Sequence, residues 1–423
     1  MFSERIATFS LHITGWKRRV FERFFPDREF IYLPFGLENE AFEADWRERI
    51  AQTDNCEIFV WGTRYPPALP AFSKENHLPI YFIEDGFLRS NSPNAARTPP
   101  LSLAFDRQRP YFDSRGPSDL EVLLETGDFN SDVVLMDRAR QGIQMLIEGG
   151  LSKYNSANPT KLEDLVGRKT RPRILVIGQV EDDASIAYGC DRPITNNDLV
   201  RLAAEENPDA EIIYKPHPDV LSGMRPAQSN PADVEHLCHV MRVSVSLANT
   251  FDDIDKAYAI TSLGGFEALL RGIPLVVLGC PFYASWGLTD DRQPNPRRTR
   301  KRTVEEVFAA AYLLYPAYFD PASGARISFE QAVEWLKVRL EDPNAYKDEF
   351  VEFPPPKWAP WGPYGLLGWR FILPFFVTPI VKRRGSEKDV REYRENPIRY
   401  FRDLTSPNLR LIGRLLYPFD PPR

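Results

Sequence analysis

An α/β protein built from two Rossmann-like halves that face one another across a cleft is predicted by three features of the sequence. Short apolar runs of strand length alternate with amphipathic helical stretches, the pattern of parallel sheets with helical crossovers. The runs form two series, separated near residue 168 by the polar stretch Lys153–Asn158 and the basic Arg168-Lys-Thr-Arg-Pro-Arg173. In the second series, Ala257–Ile260, a Gly-rich turn, a helical segment at Phe266–Leu270 and Leu275–Leu278 read as strand, turn, helix and strand. Such a turn lies at the carboxyl end of a strand, where ligands bind in open α/β sheets.

Taken in order, residues 1–30 read as a basic helical segment. Residues 31–168 form the first Rossmann-like domain, with strands at Ile31–Phe35, Glu57–Trp61, Pro79–Gly86 and Pro99–Asp106. Helices are expected at Glu38–Ala51 and Asp132–Glu148. Residues 169–345 form the second, with strands at Arg173–Gln179, Glu211–Lys215, Val243–Leu247 and the two named above. Its helices are expected at Asp198–Glu205, Thr303–Tyr312 and Phe329–Leu340. Residues 346–423 are a Pro-rich, aromatic and basic tail. Within it Pro354–Gly365 is dense in proline and aromatics, and Leu366–Val381 is apolar but broken by Arg370, Pro374 and Pro379. A spanning helix needs roughly 20 apolar residues, so surface attachment and packing against the domains remain the two readings of this tail.

The length of 423 residues suits two domains and a tail, and 43% hydrophobic with 26% charged residues suits a soluble protein. Cys56, Cys190, Cys238 and Cys280 show no CxxC spacing, which speaks against zinc and a disulfide framework. The N-terminus lacks the long apolar core and cleavage site of a signal peptide, so a cytoplasmic setting is expected. The net charge of −6 conceals an asymmetry. From Lys357 to Arg423 the balance is +7, so the preceding 356 residues carry −13. An acidic body excludes a simple nucleic-acid binder, while the tail suits an anionic membrane surface.

Four stretches can carry chemistry. Thr261-Ser-Leu-Gly-Gly265 offers hydroxyls, glycines and a helix start to a phosphate, although a tight turn alone would also explain Gly264 and Gly265. The loop Pro281–Asp291 that follows gathers Phe282, Tyr283 and Trp286 with Asp290 and Asp291. Gly178–Gly189 places Gln179, Glu181, Asp182, Asp183 and Ser185 after a buried strand, where a carboxylate can be nucleophile or base. An acidic surface turn is the competing reading. Tyr214-Lys-Pro-His-Pro-Asp219 projects Lys215 and His217 from a backbone fixed by two prolines. Glu84-Asp-Gly-Phe-Leu-Arg89 offers Glu84 and Asp85 to sugar hydroxyls and Arg89 to an acidic group, or simply opens a helix. No metal-ligand cluster is visible.

In their order and in the length of the last one, these motifs resemble those of the bacterial capsule polysaccharide β-Kdo transferase family. The resemblance covers roughly residues 30 to 340. It implies a cytoplasmic GT-B enzyme using CMP-Kdo, with an acceptor domain first and a donor domain second. Better-known members carry two tandem modules, and this chain has length for one. The resemblance further implies retention of configuration by double displacement, with Asp183 attacking and Asp182 as the competing assignment. Lys215, His217, Thr261 and Ser262 would hold the CMP phosphate, and Glu267 the ribose hydroxyls. Gln179, Ser185, Gly264, Gly265, Tyr283 and Trp286 would complete the donor site. Glu84, Asp85 and Arg89 would receive a lipid-linked or glycan acceptor. No cofactor is expected, since one phosphate needs no obligatory metal. Another transferase using a CMP-sugar or CDP-polyol donor, and a non-catalytic capsule export or assembly factor, are the alternatives.

Overall fold

The computed structural model describes residues 5–90, 99–153, 160–221, 228–243, 245–342, 369–385, 387–395, 397–402, 404 and 406–416. The chain divides into two compact units. One comprises Met1–Ile80, Ala322–Gly324 and Lys347–Arg423, and the other Tyr81–Pro321 and Ala325–Tyr346. The main cut, after Ile80, falls inside the segment 31–168 that the sequence presents as one domain.

The first unit holds three parallel strands, β1 (Ile6–Leu11), β2 (Arg28–Tyr32) and β3 (Cys56–Trp61), in the order β2-β1-β3. The expectation of a purely helical segment over residues 1–30 is thus corrected. Ile6–Leu11 is a central strand, with Phe9 opposite both Ile31 and Ile58, and only Gly15–Phe24 is helical. Basic residues of this segment have specific partners. The Arg28 Nε donates to Glu57 Oε1 at 2.6 Å, and the Lys17 ammonium sits 2.9 Å from the Trp61 ring centroid. The helix expected near Glu38–Ala51 is present, with a π-helical turn over Phe42–Trp46 that buries Phe42.

The same unit contains four helices of the tail: Trp369–Arg384, Glu387–Glu395, Pro397–Arg402 and Pro407–Leu416. Val377, Val381, Tyr393, Tyr400 and Phe401 form a small core of their own among these helices. The Pro354–Gly365 stretch lies outside the described residues. Among the described residues, no helix is long and apolar enough to cross a membrane.

The second unit opens with β4 (Ile80–Asp85) and β5 (Ser102–Asp106), which pair antiparallel and not parallel as the alternation predicted. A six-stranded, wholly parallel sheet follows: β6 (Arg173–Ile177), β7 (Glu211–Lys215), β8 (His239–Val240), β9 (Lys256–Ala259), β10 (Leu275–Val277) and β11 (Asp290–Asp291). Its order is β11-β10-β9-β6-β7-β8, with β6 and β9 central. Strands covered on both faces become near-continuous apolar runs, and β6 is buried at all five positions. Its core joins Val176, Tyr214, Tyr258, Ile260 and Val276 to Leu199, Val200 and Ala203 of the Asn196–Glu206 helix. The strand expected at Val243–Leu247 is not one. Ser246 instead caps a short helix, Leu247–Thr250, through its hydroxyl and the Asn249 N–H.

After the parallel sheet the chain returns as β12 (Pro316–Phe319), antiparallel to β5, and β13 (Arg326–Ile327) completes this edge. The segment 169–345 therefore contributes strands to both sheets. Two internal ties fix the arrangement. Glu121, on the Asp119–Thr126 helix, accepts from Arg297 and Arg298 at 2.6 and 3.0 Å in a buried setting. Phe87, just after β4, packs 4.5 Å from Phe282 and 5.5 Å from Tyr312, centroid to centroid.

Candidate donor-phosphate site

The central strands β6 and β9 run side by side, with Ile177 opposite Ala259, so the residues that follow them emerge together. Gln179 follows β6 and is clamped by Asn196. Its N–H donates to Asn196 Oδ1, and Asn196 Nδ2 donates back to the Gln179 carbonyl, both at 2.9 Å. With its backbone held, the Gln179 side chain reaches across to the next loop. Its Nε2 lies 2.6 Å from Ser185 Oγ and 3.0 Å from Thr261 Oγ1, while its Oε1 accepts from the Thr261 N–H. Ser185 Oγ and Thr261 Oγ1 are 3.2 Å apart.

Asp183 completes this network as N-cap of the Ala184–Gly189 helix. Its Oδ1 accepts from the Ser185 N–H at 2.8 Å and the Ser185 hydroxyl at 2.6 Å. Both bonds end on the same oxygen, so the cap fixes the carboxylate without engaging Oδ2. Asp182 is exposed and Asp183 half-buried. Glu181 serves the scaffold: it accepts from the N–H groups of Asn196 and Ser229 and from the Ser229 hydroxyl. The acidic triplet is therefore three different carboxylates.

At the end of β9, Thr261 is buried and Ser262 caps the Leu263–Leu270 helix, its Oγ accepting from Gly264 N–H. The helix start offers N–H groups and a positive dipole end. Gly264 and Gly265 are there for a reason other than the one expected. A Cβ on Gly264 would meet Leu247 at 2.7 Å and Ile177 at 3.1 Å, and one on Gly265 would meet Tyr283 Oη. The glycines let the helix press onto the protein, not onto a ligand.

Tyr283 and Trp286 are corrected likewise. Both are fully buried. Tyr283 Oη donates to the Ser262 carbonyl at 2.5 Å, and Trp286 Nε1 donates to the Phe282 carbonyl at 2.8 Å. They brace the Ser262 turn from behind. Asp290 and Asp291 form the edge strand β11, and Asp291 accepts from Thr289 Oγ1 and Ser285 N–H.

Lys215 ends β7 with its Nζ donating to the Val245 carbonyl at 2.7 Å, and burial pushes its pKa down to about 8. It ties two loops together from inside the fold. His217 is half-buried and lines a small hollow with Gln179, Glu181, Asn196, Tyr214 and Ser229. Glu267 lies one turn into the Leu263–Leu270 helix. Its Oε1 accepts from the Lys153 N–H, while its Oε2 is buried with no hydrogen-bond partner among the described residues. Desolvation pushes its pKa up to about 7. A buried carboxyl oxygen lacking a partner is costly, and a ligand hydroxyl would relieve that cost.

The candidate acceptor residues divide. Glu84 is half-buried at the end of β4, its Oε1 accepting from the Asp85 N–H. Asp85 and Arg89 form an internal ion pair, Nε to Oδ2 at 2.8 Å, with Arg89 fully buried and also donating to Ser90 Oγ. Their charges are directed at each other. Sequence reading missed Asn196, whose only signal was its place beside the helix-capping Thr195. It also missed Ser114, which donates to the Tyr188 carbonyl, and Arg115, whose guanidinium stacks 4.2 Å from the Tyr188 ring centroid. Among the described residues, no group of three or more His, Cys, Asp or Glu is placed to hold a metal ion.

The chain is 44% identical over 352 residues to the lipopolysaccharide-processing protein LpsZ of Rhizobium meliloti, covering 82% of this chain and 77% of that protein. It is 38% identical over 289 residues to the capsule polysaccharide modification protein LipA of Neisseria meningitidis, covering 68% of this chain but only 40% of LipA. Among solved structures, the β-Kdo 2,4-transferase of Thermosulfurimonas dismutans KpsC superposes with a TM-score of 0.64 at 30% identity. That match covers 79% of this chain and 98% of the other. The β-Kdo 2,7-transferase of the same KpsC gives a TM-score of 0.60 at 31% identity, covering 79% of this chain and all of that one. The fold is the α/β GT-B type of these glycosyltransferases. The family described as capsule polysaccharide biosynthesis protein matches residues 57–320, and the chain belongs to that family.

Proposed function

We propose that this protein is a retaining β-Kdo glycosyltransferase that moves Kdo from CMP-Kdo to a lipid-linked or glycan acceptor during synthesis of a surface polysaccharide. The observation that carries the reading is the Asp183–Ser185–Thr261–Gln179 network at the ends of β6 and β9. It sits in a chain that matches a β-Kdo 2,4-transferase over 98% of that enzyme's length.

In this reading Thr261, Ser262 and the start of the Leu263–Leu270 helix receive the single phosphate of the donor. His217 lies on the neighbouring strand end, and Lys215 sets that loop from within. Glu267 takes the ribose hydroxyls, satisfying its otherwise unpartnered oxygen. CMP is a good leaving group, so the difficult part is the fully substituted anomeric carbon and its oxocarbenium-like transition state. Asp183 Oδ2 attacks that carbon as the bond to phosphate breaks, and CMP departs with the bonding electrons. The acceptor hydroxyl then attacks from the vacated side, gives its proton to a base such as His217, and expels the Asp183 carboxylate. Two inversions give retention. Ser185, bonded to Oδ1, keeps the carboxylate oriented throughout. A nucleotide-activated donor implies a cytoplasmic reaction.

The test is CMP release from CMP-Kdo with a Kdo-terminated acceptor, with the anomeric configuration of the product read by NMR. A β product is expected. An α product would remove the double displacement, and binding of acceptor without CMP release would favour an export or assembly role.

A further inference from the structure

We infer that the C-terminal helices form a docking surface for an anionic lipid bilayer, with one face of the Trp369–Arg384 helix entering the headgroup region. This stands on the tail alone and does not depend on the transferase reading. Half of the large hydrophobic side chains exposed among the described residues fall here: Phe375, Phe376, Ile380, Leu411, Ile412 and Leu415. Phe375 is 79% exposed and Leu415 75%. Ordinary surface carries such residues singly, so their concentration calls for a partner.

The distribution follows helix geometry. Leu373, Val377 and Val381, spaced by four, turn into the small core with Tyr393, Tyr400 and Phe401. Phe375, Phe376 and Ile380 are left exposed on the part of the same helix that this core does not cover. The Pro407–Leu416 helix behaves alike. Gly413 presses against Phe401, so closely that a Cβ would collide with it, while Leu411, Ile412 and Leu415 face outward. The tail thus has a satisfied inside and an unsatisfied outside.

Charge selects the occupant. The helix runs from Phe375 and Phe376 directly into Lys382, Arg383 and Arg384, all exposed. Cations in a last turn also complement the helix dipole, but that requires none of the adjacent aromatics. Apolar side chains that enter the acyl boundary beside basic residues that meet anionic headgroups are the pattern of a helix lying in the interface. The balance of +7 across residues 357–423 makes a second copy of the same surface a poor partner, because like charges would face each other. It makes an anionic bilayer a good one.

The experiment is co-sedimentation of the full chain with vesicles of phosphatidylglycerol and phosphatidylethanolamine, and with phosphatidylcholine vesicles as reference. Two triple variants are compared, Phe375→Ser/Phe376→Ser/Ile380→Ser and Lys382→Gln/Arg383→Gln/Arg384→Gln. All six side chains are exposed at half their surface or more, or lie on the helix surface, so helicity by circular dichroism should hold. The wild type is expected to sediment with the anionic vesicles. The charge variant should bind about 100-fold more weakly, at ~5-fold per basic residue near an anionic surface. The apolar variant should lose binding to both vesicle types, and both variants should keep the wild-type thermal unfolding midpoint. Wild-type protein that stays in the supernatant overturns the inference. So does an apolar variant that sediments like wild type, or a wild-type dimer that this variant alone converts to monomer.

Discussion

Two loops that look alike in the sequence end up with opposite tasks. Glu84–Arg89 spans the end of β4 and Gln179–Ser185 follows β6, and each places carboxylates at the carboxyl end of a strand. After β4, Asp85 meets Arg89 inside the protein. After β6, Glu181 is taken by Asn196 and Ser229, but Asp183 is held through one oxygen by neutral donors. A carboxylate matched with a buried guanidinium has its charge compensated by a cation, and one oriented by hydroxyl and amide does not. The difference lies in the partner and not in the carboxylate.

The sharpest way to break this comparison is Asp183→Asn. Asparagine caps a helix as well as aspartate, so stability should barely move. Transfer should fall by on the order of 10^4-fold if the carboxylate is the nucleophile. Turnover and thermal unfolding of the same sample decide it: normal CMP release would end the assignment, and a large loss of stability would make Asp183 a scaffold residue.

Arg89→Met should do the reverse. It leaves the Asp85 carboxylate buried without its cation, at a cost of about 3–5 kcal/mol in the urea unfolding free energy. Adding Asp85→Leu should recover much of that, since an apolar replacement of a buried pair is often neutral. If the double variant were as unstable as the single one while binding acceptor poorly, Arg89 would belong to the site after all.

The smallest effect concerns Glu267. Its folded-state pKa of about 7 lies above the ordinary value of 4.5. Between those values the folded protein binds more protons than the unfolded chain, so this group's stabilising contribution declines as pH rises from 4.5 through 7. Glu267→Gln should flatten that part of the stability curve, followed as the urea midpoint against pH. Saturating donor should act on the wild-type slope and not on the variant's. A donor that leaves the wild-type slope unchanged would separate Glu267 from the ribose.

Much of the chain was legible from periodicity. Glu211–Lys215 is a strand at the expected bounds, and the helices at Asn196–Glu206 and Phe329–Glu341 lie within two residues of expectation. These elements carry their own signal, because an apolar run or a 3.6-residue period is a local property. β1 escaped because its basic neighbours suggested a helix. Its burial comes from β2 and β3 on either side, which no local window contains.

The site divides along the same line. By itself the sequence determined which strand ends carry Gln179, Asp183, Ser185, Thr261 and Ser262, and therefore that they emerge at one edge of a parallel sheet. Strand connectivity and turn residues are enough for that. Only the tertiary structure decided that Tyr283 and Trp286 brace the turn from the core, that Gly265 yields to Tyr283, and that Arg89 answers Asp85. A side chain's task is set by the atoms packed around it, and those come from segments far away in the chain.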